Sequence, residues 1–398
     1  MSVKKEFEYF NPTRIVFGDG KENEVGAILQ GYGFRSVLVL YGGGSAVRSG
    51  LLSRVEASLQ KAGIAYSLMG GVRPNPEVSF VRDAVKELRK NPKDAILAVG
   101  GGSVIDTAKS IGISYYYDGD PFDFNLYKAE AKRTLPVGVI LTIASAGSES
   151  SNSCVLQDDE LQIKQGFNND VIRPLFVIES PSLMSGVPWY QMAAGISDTI
   201  LHSLERYFAP SEDNDIADDF ALSVIKRVMK VGEILRKNPK DEAAKGQLML
   251  LSSLSHDGLT NIGKQQSFVV HPLEHVLSAY RPGIVHGAGV AMLFPAWANH
   301  VFALDLPKFA RMGKELFSLS GTSEEEVAIM GIRRMKEFFV SLGMPSSLSE
   351  VGIASEDIPA LVDLATGNGT RVVGRFPKPL TKQDIEDIYS SLLPKEEL

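Results

Sequence analysis

Twice within the first part of the chain a short run of branched apolar side chains ends in three glycines and a serine, and a helical pattern follows. The first run, residues 36–41, leads into Gly42-Gly43-Gly44-Ser45; the second, residues 94–100, leads into Gly101, Gly102 and Ser103. A strand that is continuously apolar, not alternating, is buried on both faces, which is the condition of a parallel sheet covered by helices. Residues 135–142 and 173–180 read as two more such strands. From about Tyr190 the pattern changes: residues 192–208, 215–235, 244–259 and 306–319 carry helical periodicity with no strand between them. A chain of 398 residues suits two domains. The expected division is an α/β domain over residues 1–187 and an all-helical domain over 188–398, with the junction in Met184-Ser185-Gly186-Val187-Pro188. Ligands of two-domain enzymes commonly sit between the domains.

Composition narrows the functional classes. With 41 basic against 48 acidic residues the net charge is −7, and no basic block offers a footprint for nucleic acid or an anionic membrane. The single cysteine, Cys154, excludes an internal disulfide, a cysteine zinc site and a CxxC redox pair. The N-terminal residues have no apolar core of signal-peptide type, and residues 287–304, the best membrane candidate, contain Pro295, Asn299 and His300 and read as a buried helix. The expectation is a reduced, cytoplasmic protein.

Glycines at the ends of strands let backbone N–H groups approach phosphate, and the following helix adds its positive end. Neither loop here matches G-x-G-x-x-G, since in the second the third position after Gly100 and Gly102 is Ile105, so tight strand–helix turns are the competing reading. Residues 258–265 fit G-x-x-x-x-G-K, but Gln265 replaces the magnesium-binding hydroxyl and the segment follows a helix, which argues against a phosphate role.

All six histidines fall between His202 and His300. Asp198 and His202 are four residues apart, as are His271 and His275, so each pair shares a helix face; His286 follows a Pro-Gly turn. One carboxylate with imidazoles suits zinc or ferrous iron, and three or four protein ligands leave room for substrate. A hydrogen-bonded core role is the alternative for any one histidine, and it is the expectation for His256 and His300, which lack such a partner. HExxH and G-x-S-x-G are absent from the sequence.

Together these segments resemble the iron-containing (group III) alcohol dehydrogenase family, in its branch of NAD(P)H-dependent butanol dehydrogenases and aldehyde reductases. The resemblance spans FNPTRIVFGDG, Pro74-Asn75-Pro76, GGGSVIDTAK, the GSE segment, AAGISDTILHSLERYF, HPLEHVLSAY, the following HG, and FPKPLTKQDIEDIY. It implies a dehydroquinate synthase-like architecture, with metal ligands at Asp198, His202, His271 and His286 and a non-ligand histidine beside the nicotinamide at His275. It also implies cofactor contacts at Asn75, at Gly100, Gly101, Gly102 and Ser103, and at Asp106, Thr142, Ser148, Lys164 and Leu183. Three departures stand out: Thr142-Ile143-Ala144-Ser145 lacks two hydroxyls of the family pattern, with Ser145 a substitute for one; Glu179-Ser180-Pro181 replaces Asp-Pro; and the interval from His271 to His286 is one residue longer.

In a dinucleotide fold an acidic side chain after the first strand binds the ribose hydroxyls and repels a 2′-phosphate. Here that place is Tyr41 followed by Gly42, Gly43, Gly44 and Ser45, without a carboxylate and with Arg48 a turn later, which favours NADP(H) over NAD(H); the competing reading is that the glycines are only a turn and both cofactors are accepted. The expected reaction is metal-dependent hydride transfer between NADP(H) and a short-chain alcohol or aldehyde, with Fe²⁺ or Zn²⁺ as Lewis acid and His275 either relaying a proton or only positioning the nicotinamide. The competing readings are a glycerol or polyol dehydrogenase of the same superfamily and a silent nucleotide- or metal-binding homologue. Family analogy suggests a homodimer.

Overall fold

The structure, a computed structural model, describes residues 6–210 and 215–394. Eight strands occur among the described residues: β1 (Arg14–Phe17), β2 (Ser36–Gly42), β3 (Ala65–Val72), β4 (Ala95–Gly100), β5 (Val137–Leu141), β6 (Ser153–Asp158), β7 (Ile163–Asn168) and β8 (Phe176–Glu179). Six form one parallel sheet in the order β1-β8-β5-β4-β2-β3, and β6 and β7 pair as an antiparallel hairpin. Strands β4, β5 and β8 are buried at every residue, and β2 at its four central ones, whereas the edge strand β1 is largely exposed and the edge strand β3 is largely half-buried. Helices Leu51–Lys61, Val78–Lys90 and Gly102–Ser114 follow β2, β3 and β4; the first two bury an apolar stripe, and the third is buried from Val104 to Ser114 at every residue but Asp106. From β2 the chain moves outward to β3, then returns to β4 and builds toward β5 and β8. The crevice at such a reversal, outside the carboxyl ends of neighbouring strands, is where open parallel sheets bind ligands. Both glycine loops lie there, at the ends of adjacent β2 and β4.

The chain divides into two compact units: residues 10–187 with 240–257, and residues 188–239 and 258–398 with the N-terminal residues as far as Tyr9. The expected single cut after residue 187 therefore needs correction. Helix Glu242–His256 belongs with the sheet, because Ser252, Ser253 and His256 bond to the loop after β5 and to Glu179 at the end of β8.

The second unit is helical among its described residues, apart from an isolated bridge between Val373 and Leu380. Its core gathers Phe208, Phe294, Trp297 and Phe309, with ring centroids 4.3–6.2 Å apart. The stretch His286–Phe317 is long and apolar enough to cross a membrane by length and composition, but most of it is buried in this core. Helix starts are capped as their sequences prescribe: Ser323 accepts from the Glu326 amide, and Thr381 and Asp384 form a reciprocal box.

Candidate active site: a histidine–carboxylate cluster and a glycine-loop crevice

In the helical unit, helix Trp189–Phe208 carries Asp198, His202 and Glu205, spaced i, i+4 and i+7 on one face. Helix Val270–Tyr280 contributes His271, Glu274 and His275, and His286 opens helix His286–Val301. These elements converge on Asp198 Oδ1, which lies 3.2 Å from His202 Nδ1, 3.5 Å from His271 Nε2 and 3.7 Å from His286 Nε2. The imidazole centroids of His202 and His271 are 4.3 Å apart, and those of His271 and His286 5.2 Å. Close helix packing makes the convergence possible. A Cβ on Gly287 would stand 2.0 Å from the Ala194 carbonyl oxygen, so only glycine beside His286 lets the two helices meet.

Two buried carboxylates stand behind the imidazoles. Glu205 accepts from His271 Nδ1, from the Val269 amide, from the Val270 amide at 2.6 Å and from the His271 amide at 3.2 Å. It thereby caps the start of helix Val270–Tyr280 and turns His271 Nε2 toward Asp198. Glu274 does the same for His286 by accepting from its Nδ1. Sequence reasoning missed both, although Glu205 continues the helical spacing of Asp198 and His202. Burial alone would raise the Asp198 carboxyl, but His202 and His286 hold it well below the usual carboxylate range. Burial pushes His202 down to about 4. For His271 burial acts downward too, yet the Glu205 and Asp198 carboxylates prevail and push it up to about 9. His271 Nε2 is buried without a hydrogen-bond partner among the described residues. A divalent cation satisfies both observations at once, since it accepts a lone pair from a neutral imidazole and neutralises a buried carboxylate. His275 is half-buried, with its ring centroid 5.5 Å from that of His286. His256 and His300 lie outside the cluster, bonded to the Ala146 carbonyl and to Asp384.

In the sheet unit, Gly100 ends β4, and Gly101 precedes helix Gly102–Ser114. The loop after β5 runs through Thr142, Ser145 and Ser148; the Thr142 amide bonds to the Gly100 carbonyl at 3.1 Å, which sets it beside the glycines. Asn75 and Lys164, far apart in sequence, meet through a 3.0 Å hydrogen bond from Lys164 Nζ to Asn75 Oδ1. The Asp106 carboxylate accepts from Ser148 Oγ and from the Val155 amide, so it braces the loop. Leu183 packs against the sheet core. Gly44 has a φ of 115°, and a Cβ there would lie 3.1 Å from an Arg48 guanidinium nitrogen, so this cation sits over the first glycine loop. The sequence reading overlooked Lys109, which is fully buried with its ammonium 2.6–3.2 Å from five oxygens of Ser148, Ser151 and Ser153. Its spacing from Asp106, three residues on the same helix, was the available signal. Burial pushes it down to about 8.

A glycine-loop parallel sheet and a helical unit with an aspartate–histidine cluster together define a class of nucleotide- and metal-handling enzyme folds. Comparison with known proteins makes the class specific. The family model for iron-containing alcohol dehydrogenase matches residues 12–181, and that for the C-terminal part of the same family matches residues 192–393, so the chain belongs to the iron-containing alcohol dehydrogenase family. It is 36% identical over 385 residues to NADH-dependent butanol dehydrogenase A of Clostridium acetobutylicum, covering 96% of this chain and 98% of that protein. It is 30% identical to the NADPH-dependent aldehyde reductase YqhD of Escherichia coli, over 92% of this chain and 95% of that one. The crystal structure of NADH-dependent butanol dehydrogenase A from Thermotoga maritima matches with a TM-score of 0.94 at 33% identity, covering 99% of this chain and all of the other. The protein is thus an alcohol/aldehyde oxidoreductase.

Proposed function

We propose that the chain transfers a hydride between NADP(H) and a short-chain alcohol or aldehyde, with Asp198, His202, His271 and His286 holding one divalent ion, Fe²⁺ or Zn²⁺. The observation that carries this reading is the convergence of three imidazoles within 3.7 Å of one buried Asp198 oxygen. When bound, the ion supplies Lewis acidity toward a carbonyl oxygen and the nicotinamide supplies the hydride. Asp198 contributes the one formal negative charge among these four side chains, while Glu205 and Glu274 fix the rings of His271 and His286. His275, one helical turn from His271 and partly exposed, exchanges the alcohol proton with solvent through its imidazole. Gly100, Gly101, Gly102 and Ser103 take the pyrophosphate, with Thr142, Ser145 and Ser148 alongside. Support for a 2′-phosphate comes from Arg48 over Gly44 and from the lack of a carboxylate in residues 41–45. The relatives include enzymes named for either cofactor, so the test uses both.

The test is oxidation of NADPH and NADH with butanal, before and after chelation and after adding back Zn²⁺ or Fe²⁺. The expected result is metal-dependent turnover with NADPH preferred; no turnover by folded protein in any metal state would refute the reading. For His275→Ala, an unchanged pH–rate profile would remove the proton-exchange role.

A further inference from the structure

Helix Glu242–His256 carries adjacent, fully buried serines, Ser252 and Ser253, that meet two buried carboxyl groups within the sheet unit. Ser253 Oγ lies 3.0 Å from Glu149 Oε1 and 2.6 Å from Glu179 Oε1, and Ser252 Oγ lies 3.1 Å from the same Glu149 oxygen. Glu149 follows Ser148 in the loop after β5, and Glu179 is the last residue of β8, where the family pattern has aspartate. Both are at most 1% exposed. A serine hydroxyl has one proton and can donate to one carboxylate only. The second carboxyl at hydrogen-bond distance then has to bring its own proton, or two lone pairs and a second negative charge would face each other in a dry interior. Burial raises both carboxyls, but at Glu149 it is opposed by the hydroxyls of Ser253 and Ser252 and by the Lys109 charge, whereas Glu179 has Ser253 alone and faces Glu149; Glu149 is therefore the anion and Glu179 the acid. Burial pushes Glu179 up to about 7, in keeping with that assignment.

The helix also fixes the loop. Ser252 Oγ accepts from the Ser145 amide at 3.2 Å, Ser150 Oγ donates to the Ser253 carbonyl at 2.7 Å, and His256 Nδ1 lies 2.7 Å from the Ala146 carbonyl. Gly147, with a φ of 69°, has no room for a Cβ, which would stand 2.4 Å from the Ser252 carbonyl. Loop and helix therefore move together. We infer that Glu179 is protonated in the binding-competent protein, and that the chain Glu179–Ser253–Glu149 makes these three residues positioning residues for the dinucleotide-binding loop. The inference rests on the proposed cofactor role of Ser145 and Ser148.

Charged groups around this chain are few. Glu149 faces Glu179 directly; Lys109 and Asp106 stand beyond it on helix Gly102–Ser114. Arg173 bonds to the Ser150 and Asp257 carbonyls. Near β8, Glu22 is paired with Arg54; on the helix itself Lys245 pairs with Glu242, and His256 holds Ala146. Loss of the Glu179 proton sets two carboxylates on one hydroxyl and drives the end of β8 away from the helix that holds the loop.

The experiment is fluorescence titration of NADH binding from about pH 6 to about pH 9, for the wild type, Glu179→Gln, Ser253→Ala and Gly102→Val. A group that must keep its proton supports full binding below its pKa and loses it above. The wild type is expected to weaken about fivefold across that range. Glu179→Gln, which still donates to Ser253 but cannot ionise, is expected to stay flat at the acid-side affinity, and Ser253→Ala to start at the weaker alkaline level. Infrared spectra of the wild type are expected to show a protonated-carboxyl band that disappears as the pH rises and is missing in Glu179→Gln. A Glu179→Gln profile that tracks the wild type, or a band unaffected by the substitution, overturns the inference. Gly102→Val separates the two claims: its Cβ would stand 3.6 Å from Ala146 Cβ, an ordinary contact, and its two methyls add bulk at the proposed phosphate loop. If this variant binds NADH like the wild type, the dinucleotide reading of the loop fails; if it loses binding while Glu179→Gln tracks the wild type, only the proton inference fails.

Discussion

At Glu205 one buried carboxylate serves three consecutive backbone amides and the His271 ring, so charge and shape are both in use. Glu205→Gln keeps the shape but presents an NH₂ group where a donor already points. We expect this to cost about 1–3 kcal/mol of stability in urea unfolding of the metal-free protein. Metal affinity should fall about tenfold to a hundredfold, as is usual when a histidine ligand loses its orienting carboxylate. Competition with a chromophoric chelator reads the second effect, and an unaltered affinity would detach Glu205 from the metal role. A second carboxylate acts at a distance from this cluster. Burial opposes ionisation of Asp384, but Lys378, His300 and the Thr381 amide and hydroxyl hold its carboxyl well below the usual range. A carboxyl lowered in the folded state contributes stability above its unfolded pKa and loses it as pH falls. Urea midpoints measured from about pH 6 down to about pH 3 should therefore drop more steeply for the wild type than for Asp384→Asn.

At the scale of elements, the legible strands were the buried ones. Residues 36–41, 94–100, 135–142 and 173–180 coincide with β2, β4, β5 and β8, whose two covered faces impose continuous apolar runs. Strands β1 and β3 were missed because edge position leaves β1 mostly exposed and β3 mostly half-buried, so neither needs a continuous apolar run, and the β6–β7 hairpin because its strands mix polar and apolar residues. Periodicity identified helix Glu242–His256 but could not say which unit it joins, since that depends on buried serines, which carry no apolar signal. Helix-to-helix approach was equally silent in the sequence, although Gly287 decides it. Gly287→Ala forces a methyl into the Ala194 carbonyl at 2.0 Å. The helices have to separate, at an expected cost of about 1–3 kcal/mol. Because His286 is the neighbouring residue, bound metal after purification should fall together with the unfolding temperature, and normal metal content in a destabilised protein would show that His286 adjusts independently.

For the molecule as a whole, the pairs Asp198/His202 and His271/His275 were readable from spacing and His286 was singled out as a ligand only by the family resemblance, while the carboxylates that orient the rings were not readable, because partners at long sequence separation leave no local pattern. Those four side chains come from three separate helices of one unit, so an ion held by them links elements that the unfolded chain leaves far apart. Binding to the folded state alone stabilises by about 2.7 kcal/mol when the free ion is at a hundred times its dissociation constant. For a unit of this size that corresponds to roughly 5–10 °C in the unfolding midpoint. Chelation should lower the midpoint by about that amount, and adding Zn²⁺ or Fe²⁺ should restore it in a concentration-dependent way. Asp198→Asn supplies the contrast. It removes the formal charge that draws the cation while relieving a buried carboxylate, so its metal-free form should unfold no lower than chelated wild type. Added ion should then raise its midpoint little. Calorimetry across the four samples distinguishes the cases: a wild-type midpoint indifferent to chelation, or an Asp198→Asn protein that responds fully to added ion, would mean that this cluster is not where the cation binds.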